Sequence, residues 1–395
     1  MSTIRVEAGQ SVLSETILDA CGANAAVYDR ENRFFDEDFA LLRDAGYLRM
    51  AVPAELGGLG FNLAQVCAEQ RRLASRAAPT ALALTMHLSQ TGVAADLWRA
   101  GDTSQGWLLQ EAAEGAVFAY GNAEPGNDLP LLYSSARAER VDGGYRIYGR
   151  KSFGSLSPVW TRLCVHAADD SDPAHPKIVH AYVERGTPGV ETVETWDTLG
   201  MRATQSHDTV LDGAFAPDAT VARVVAAGLA GADAFILGIF AWEEISFAAI
   251  YLGLAERAFV LAIDQVKSKS SIPLGGRSMA YHPFMQYEVA EMAMELEAMA
   301  PHVERMAADW TNGVDHGGLW ASKLVAVKHR ATQGAQRVVD LALEVSGGTG
   351  MFKRNELERL YRDVRCGPFH PANSSVTHEV VGKTYLGVLG EEPRW

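Results

Sequence analysis

The chain has 395 residues, 48% of them hydrophobic, which is enough to bury a large core spread over two or three domains. Its net charge of −14 and its lack of any long Lys/Arg cluster argue against nucleic acid or an anionic membrane as a partner. Neither a disulfide framework nor a metal site is predicted, and a cytoplasmic location is expected, because the cysteines are far apart and form no CxxC pair. They are Cys21, Cys67, Cys164 and Cys366.

Three regions with different hydrophobic spacing follow one another along the chain. Residues 1–115 have helical spacing and are predicted to form an all-helical N-terminal domain. Residues 116–230 alternate apolar and polar positions between Asp-Gly, Asp-Pro and Thr-Pro-Gly turns, which predicts a β-barrel or sandwich. Residues 231–395 return to long helical patterns, which predict a four-helix bundle. The predicted fold class is therefore α+β.

One run, residues 224–242, has the length and apolar character of a membrane span. It is built largely of Ala and Gly and contains Asp233 near its centre. A carboxylate at the centre of a bilayer is costly, so we interpret the run as a buried connection into the helical pattern of residues 241–267. No membrane partner is predicted.

Five short motifs occur in order along these regions. VPAELGGLG begins at Val52, AEPGND at Ala123, KSFGS at Lys151 and LGMRAT at Leu199. The last, EVSGGTGMF, begins at Glu344 and is followed by the segment LERLYRDVR. Each motif alone is weak evidence, whereas five in this order over three regions are strong.

In this order the motifs resemble the acyl-CoA dehydrogenase superfamily of flavoproteins, over roughly residues 35–390. The resemblance implies an oxidoreductase with bound FAD that forms a double bond in an acyl thioester, carried by coenzyme A or by an acyl-carrier protein. It also implies a homotetramer or homodimer, in which Gly347 and Gly348 reach the FAD of a neighbouring subunit. Electrons would pass to an electron-transfer flavoprotein or to dioxygen.

Phe153 and Ser155, in the KSFGS motif, are the predicted contacts of the flavin ring. The ring needs a planar neighbour and a hydrogen-bond donor near N5, and residues that alternate along a strand can point to one face. Without the flanking motifs, the pair would be an ordinary Phe and Ser on a barrel strand. The resemblance adds further cofactor contacts at Ala123, Glu344, Asn373 and Ser375.

The usual catalytic glutamate of the family is missing from the C-terminal segment. Counted from the Arg-Asp pair of the LERLYRDVR segment, its position holds Pro371, with His370 beside it. A minority of the family carries the glutamate earlier, at the position of Glu243, which stands next to Glu244 at the head of a long apolar helical pattern. Successive helical residues diverge by about 100°, so only one of the two acids can face the flavin, and we predict Glu243.

Two alternatives to this dehydrogenase remain open on the sequence. Two charged residues at a helix start are also favoured by the helix dipole alone. The C-terminal segment additionally resembles two-component flavin monooxygenases of the same fold, which use FMN or another flavin reduced by a separate flavin reductase. In that case His87, Ser155 and His370 would surround the flavin, because imidazoles suit proton delivery near neutral pH.

A third possibility is a catalytically silent scaffold that binds thioesters, since a fold does not dictate activity. The family's arginine against the FAD pyrophosphate has no counterpart between residues 267 and 271. Lys267 and Lys269 could replace its charge there, although without the two-pronged hydrogen bonding of a guanidinium. A scaffold of this kind would be purified without flavin.

Overall fold

The computed structural model describes residues 11–228 and 233–391, and its first part is helical, as predicted. The N-terminal helices are α1 (Glu15–Glu31), α2 (Asp36–Asp44), α3 (Leu63–Arg99) and α4 (Gly106–Ala113). Side chains fix where two of them begin: Ser14 accepts a hydrogen bond from the first turn of α1, and Asn62 and Gln65 form a reciprocal capping box on α3. These caps satisfy backbone N–H groups that have no partner inside the helix.

The central part is a single sheet of eight strands. The strands are β1 (Phe118–Gly121), β2 (Arg137–Val141), β3 (Gly144–Gly154), β4 (Arg162–Asp169), β5 (Lys177–Glu184), β6 (Val190–Val193), β7 (His207–Pro217) and β8 (Val221–Ala226). Seven of them lie in the order β6-β7-β3-β2-β4-β5-β8, and β1 pairs in parallel with β4. The long antiparallel pair β3–β7 carries the KSFGS motif at the end of β3, which places that motif at the edge facing the helices.

Helices return after the sheet. They are α5 (Ala234–Ser268), α6 (Pro283–Thr311), α7 (Trp320–Ser346), α8 (Glu356–Val364) and α9 (Ser374–Leu386). The described part of this domain thus has three long helices followed by two shorter ones. The helices α5, α6 and α7 pack against one another, and α3 of the N-terminal domain also packs along α5.

Helix α5 is the centre of the molecule. By length and composition it could cross a membrane, but 89% of its most apolar 18-residue window is buried inside the protein. Asp233, the polar residue that interrupted the apolar run, caps the helix by accepting a hydrogen bond from the N–H of Ile236. The apolar residues of α5 therefore serve a protein core that is continuous across all three parts of the chain.

The Arg-Asp pair near the end of α8 connects the domains. Arg362 forms an ion pair with Asp29 of α1 at 2.6 Å, and Asp363 accepts a hydrogen bond of 2.6 Å from the backbone N–H of Met201. Asp363 is fully buried, and this burial raises its pKa to about 6. The pair therefore holds the C-terminal segment against both other domains. These structural contacts account for the Arg-Asp pair in the motif.

Gly253 lies where α5 crosses α3, and we expect its replacement by alanine to destabilise the protein. A Cβ atom there would stand 2.2 Å from the carbonyl oxygen of Arg71, so the two helices would have to separate. Overpacking of this kind typically lowers the free energy of unfolding by about 1–3 kcal/mol. Thermal and urea unfolding of Gly253→Ala at a fixed protein concentration test this.

Gly382→Ala on the surface of α9 is the matched control, because no atom lies within 4 Å of the added Cβ. It should leave stability unchanged or raise it by about 0.4–1 kcal/mol, through the reduced entropy of the unfolded chain. Equal stability of Gly253→Ala and the wild type would contradict the close approach of α3 and α5.

Candidate functional site

A cavity of about 540 Å³ lies where the edge of the sheet meets α3, α5 and the C-terminal segment. This volume is within the range of small-molecule and cofactor sites, roughly 300–1,000 Å³. Six of the residues predicted from the sequence line it: Ala123, Phe153, Ser155, Glu243, His370 and Asn373. The fold thus brings together side chains that are separated by up to 250 positions in the chain, counted from 123 to 373.

Glu243 and Glu244 point in different directions, as expected for neighbours on a helix. Glu243 lines the cavity, and its carboxyl makes no hydrogen bond with any residue that the structure describes. Burial and, second, the nearby Glu244 raise the pKa of Glu243 to about 8. A carboxylate of this kind, poorly solvated and facing a cavity, is a strong base for a bound substrate.

Glu244 is fully buried and holds the C-terminal segment. Its Oε1 accepts a hydrogen bond of 2.8 Å from the N–H of Ala372. Lys328 of α7, also buried, donates to the carbonyl oxygens of His370 at 2.6 Å and Ala372 at 2.9 Å. Burial raises the pKa of Glu244 and lowers that of Lys328, while the opposite charge of each partner works against both shifts. The two side chains therefore fix the backbone of residues 370–372 at the cavity wall.

His370 is held at this wall by its ring as well. Its Nε2 is 2.8 Å from the Tyr251 hydroxyl, and its ring stacks on Phe247 with centroids 4.9 Å apart. Burial and the charge of Lys328 lower the pKa of His370 to about 3, so the ring is neutral at physiological pH. Phe247 is one helical turn after Glu243, and His370 and Glu243 therefore share one wall of the cavity.

Phe153 and Ser155 both line the cavity, although simple strand alternation does not place them there. Phe153 has a positive φ of 57°, the β3–β7 register shifts between Lys151 and Gly154, and the strand ends at Gly154. The Phe153 ring is 64% exposed and meets Trp196 edge to face, with centroids 5.9 Å apart. The kinked end of β3 thus leaves Phe153 exposed at the cavity that it lines.

The residues around this aromatic face fit a flavin ring. The Ser155, Ser206 and Thr204 hydroxyls form a chain with oxygen–oxygen distances of 2.7 Å, and all three line the cavity. Asn122 lines it too, and its Oδ1 is buried without a hydrogen bond in the described part of the chain. A buried polar atom of this kind costs free energy unless a ligand satisfies it. A planar ring with several hydrogen-bonding edges could stack on the aromatic face and also form hydrogen bonds with these polar atoms.

A buried ion pair supports this end of the cavity, and the sequence alone did not single it out. Glu124 follows Ala123 and receives a hydrogen bond from the ammonium group of Lys151, the first residue of the KSFGS motif. Glu124 also accepts hydrogen bonds from Ser134 and from two backbone N–H groups. Both charges are buried, and the pair therefore fixes the AEPGND loop against the end of β3.

His87 is not part of this site. Its Nε2 lies 2.8 Å from the carbonyl oxygen of Leu48, to which it donates, and its Nδ1 accepts a hydrogen bond of 3.1 Å from the N–H of Phe118. Burial lowers the pKa of His87 to about 4, and the residue does not line the cavity. With both ring nitrogens bonded to the backbone, His87 joins α3 to the first strand and has no free nitrogen for a proton transfer.

Four other predicted cofactor contacts also lie away from the cavity. Glu344, Gly347 and Gly348 line a separate open groove of about 450 Å³ at the end of α7, and Ser375 is exposed in the first turn of α9. Lys269 donates hydrogen bonds to the carbonyl oxygen of Ser346 and to the Thr349 hydroxyl, and so fastens the glycine loop. Within one subunit these residues do not join the site, and their role at a neighbouring subunit's cofactor stays a prediction.

One signal in the sequence could have identified Lys328. The residue stands on the apolar stripe of α7, with Leu324 one turn before it and Ala331 and Ala335 after it, all buried. A lysine on such a stripe must find buried acceptors or a charge partner. The tertiary structure supplies buried acceptors, the carbonyl oxygens of His370 and Ala372, and also a nearby opposite charge, Glu244. Tyr251 gave no such signal, because a tyrosine in an apolar helix is usual.

Sequence profiles of three acyl-CoA dehydrogenase domains match the chain in order. The N-terminal domain profile matches residues 9–109, the middle domain profile 118–214 and the C-terminal domain profile 245–375. "Putative acyl-CoA dehydrogenase YdbM" of Bacillus subtilis (strain 168) is 31% identical over 375 residues, covering 93% of this chain and 94% of that protein.

One further relative is named for a different kind of reaction. The amino sugar nitrososynthase DnmZ of Streptomyces peucetius is 30% identical over an alignment of 407 positions, covering 97% of this chain and 95% of that protein. The X-ray structure of KijD3 in complex with FMN and dTDP-3-amino-2,3,6-trideoxy-4-keto-3-methyl-D-glucose superposes with a TM-score of 0.82 at 26% identity. That superposition covers 95% of this chain and 92% of KijD3.

Proposed function

The chain belongs to the acyl-CoA dehydrogenase family. From this membership we propose that it catalyses the α,β-dehydrogenation of an acyl thioester. The proposal includes bound FAD, a thioester carried by coenzyme A or by an acyl-carrier protein, and Glu243 as the base. Assembly into a homo-oligomer and electron transfer to an electron-transfer flavoprotein or to dioxygen are parts of the same proposal.

The observation that carries this proposal is the placement of Glu243. Of the two neighbouring acids on α5, Glu243 lines the cavity, whereas Glu244 is engaged with the backbone of Ala372. A free, poorly solvated carboxylate is what the removal of a weakly acidic α-proton requires. The sequence suggested that both acids stand at a helix start, but α5 begins at Ala234, more than two turns before Glu243, so the dipole of the helix terminus does not account for them. Neither acid is exposed.

The residues of the cavity can divide the reaction between them. Glu243 takes the α-proton, the electron pair of that C–H bond forms the new carbon–carbon double bond, and the hydride leaves the β-carbon. A bound flavin would supply the two-electron acceptor for this hydride, which balances the two-electron oxidation of the thioester. Phe153 and Trp196 offer the ring an aromatic wall, and Ser155, Ser206 and Asn122 offer hydrogen bonds to its edge.

A flavin monooxygenase is the second candidate, and the position of His370 favours it. A neutral imidazole at the cavity wall suits a reaction of reduced flavin with dioxygen, and nitrososynthases are among the similar proteins. In that case the flavin would be FMN or FAD delivered by a reductase. Glu243 has no evident part in such a scheme, which is why we place the dehydrogenase first.

Anaerobic mixing of the flavin-loaded protein with a panel of acyl thioesters tests the proposal. The panel should cover short, branched and long acyl chains on coenzyme A and on a phosphopantetheinyl carrier, with the flavin absorbance as the readout. Bleaching by one class of thioester supports the dehydrogenase. No bleaching, together with a peroxide-like flavin spectrum when the reduced protein meets dioxygen, would favour the monooxygenase. A protein that binds no flavin would overturn both.

The rate of flavin reduction is expected to rise with pH. Glu243 must be ionised to accept a proton, and its pKa is raised to about 8, so the carboxyl is mostly protonated below that value. The single-turnover rate should therefore fall by about tenfold for each pH unit below about 8 and level off above it. His370, with a pKa of about 3, stays neutral throughout this range. A flat profile or one that falls with pH would contradict Glu243 as the base.

A further inference from the structure

The backbone of residues 370–372 offers the cavity no hydrogen-bond donor. The N–H of His370 is donated to the carbonyl oxygen of Gly367 at 3.3 Å, and the N–H of Ala372 is donated to Glu244. Between them, Pro371 has no N–H. The position at which the family carries its usual glutamate thus contributes neither a carboxylate nor a backbone donor. Among residues 370–372, the side chain of His370 is the donor that remains.

Tyr251 decides which nitrogen of His370 carries the proton. The Tyr251 ring is fully buried, and its hydroxyl makes no hydrogen bond in the described residues other than the one to His370 Nε2. If Nε2 carried the proton, the tyrosine O–H would be left buried without an acceptor, which typically costs about 1–3 kcal/mol. The O–H therefore donates to Nε2, and the proton of the imidazole lies on Nδ1.

His370 Nδ1 makes no hydrogen bond within the described part of the chain, and the residue lines the cavity on the same wall as Glu243. When a base removes the α-proton of a thioester, negative charge moves to the carbonyl oxygen. A donor fixed in advance beside that oxygen lowers the barrier. The ring of His370 is fixed in this way by Phe247 and Tyr251, and its backbone by Lys328.

We propose that His370 donates its Nδ1–H to the thioester carbonyl oxygen, with Tyr251 as the positioning residue that holds the imidazole in the required tautomer. The inference rests on the proposed dehydrogenation and adds to it a catalytic residue that stabilises charge while Glu243 moves the proton. The α-proton goes to Glu243, and the electron pair of that C–H bond becomes the new double bond as the β-hydride leaves. Partial negative charge builds up on the carbonyl oxygen during this step, and the hydrogen bond from His370 strengthens as that charge grows.

Isotope-edited infrared spectroscopy of a bound thioester labelled with ¹³C at the carbonyl tests this assignment. A hydrogen bond to the carbonyl oxygen lowers the stretching frequency of the C=O bond. This readout does not depend on the rate of the reaction. The variants are His370→Asn, whose amide nitrogen takes nearly the place of Nδ1, His370→Leu, which has no donor, and Tyr251→Phe, which releases the tautomer. The flavin spectrum and a melting curve of each variant verify that the protein is loaded and folded.

We expect the shifted carbonyl band in the wild type and in His370→Asn, its loss in His370→Leu, and a mixture of shifted and unshifted bands in Tyr251→Phe. The rate of flavin reduction should fall by about 10²–10³-fold in His370→Leu, and by much less in His370→Asn.

The same carbonyl band in wild type and His370→Leu would overturn the assignment. So would loss of the shift in both His370→Leu and His370→Asn with normal flavin binding, because it would indicate a role of ring shape rather than of Nδ1–H. An unchanged band in Tyr251→Phe would refute the positioning role of Tyr251. Failure of the wild type to reduce its flavin with any thioester would refute the dehydrogenase itself, which is a separate result.

Discussion

Replacing Glu243 by glutamine is expected to lower the rate of thioester-driven flavin reduction by about 10²–10⁴-fold, because the variant keeps the size of the side chain and loses the base. Glu243 lines the cavity without a hydrogen-bond partner among the described residues, so the amide has no structural contact to break. Flavin binding and the flavin spectrum should change little. Anaerobic stopped-flow measurement of flavin bleaching gives the rate directly.

Asp264→Asn is the matched control for this substitution. Asp264 lies on the same helix, is exposed, and does not line the cavity. Its variant therefore removes one carboxylate of α5 outside the proposed active site. It should reduce flavin at the wild-type rate. The Glu243→Gln variant should also lose the pH dependence through about 8 that we assign to this carboxyl. A Glu243→Gln protein that is reduced as fast as the wild type would show that another group takes the α-proton.

Replacing Lys328 by methionine is expected to lower the free energy of unfolding by about 3–5 kcal/mol, because two buried carbonyl oxygens lose their donor and the buried Glu244 loses the nearby opposite charge. The change leaves the carbonyl oxygens of His370 and Ala372 without their donor, and it leaves Glu244 buried without a cation. Methionine matches the length of the lysine stem, so little packing is lost. Thermal and urea unfolding at one protein concentration measure the effect.

The double variant Lys328→Met with Glu244→Gln separates the charge from the contacts. Glutamine can still accept the hydrogen bond from the N–H of Ala372 and carries no charge that needs a partner. We expect the double variant to be more stable than Lys328→Met alone, with a coupling energy within the usual range of about 0.5–3 kcal/mol. Strictly additive effects would mean that Lys328 acts only through the two carbonyl groups. Wild-type stability of Lys328→Met would contradict a stabilising role of Lys328 altogether.

The choice of Glu243 over Glu244 is the part of the site that sequence reasoning handled best. It needed only the angle between successive helical residues and the position of the acids at the head of an apolar pattern. The structure places Glu243 in the cavity and Glu244 against Ala372, although the catalytic role itself stays a prediction. The directions of two neighbouring side chains depend only on the geometry of the helix that carries them, so no distant residue is needed to predict them.

The two histidines show where such reasoning ends. Both His87 and His370 were candidates for proton transfer on the sequence. In the structure, His87 is bonded to the backbone through both ring nitrogens, whereas His370 lines the cavity. Their surroundings come from segments far away in the chain, such as Leu48 for His87 and Tyr251 for His370. No local pattern records partners that are 39 and 119 positions away.

Phe153 and Ser155 illustrate the same limit within a single strand. Both residues line the cavity, but regular alternation is not the reason, and their contact with a flavin stays a prediction. The positive φ of Phe153 and the register shift between β3 and β7 turn the end of β3, and the register shift involves a strand more than 50 positions away in the chain. A strand pattern predicts a face only while the strand stays regular.

The sequence by itself determined the order of a helical domain, a β domain and a second helical domain, because hydrophobic periodicity is a property of neighbouring residues. It also determined the family, through five motifs in order, and the acid that faces the cavity. Only the tertiary structure decided that Lys328 and Glu244 fix residues 370–372, that Tyr251 sets the proton of His370, and that the glycine loop lies apart from the cavity. Buried charges and hydrogen bonds are satisfied by partners distant in the chain, and only the packing of all three domains brings those partners together.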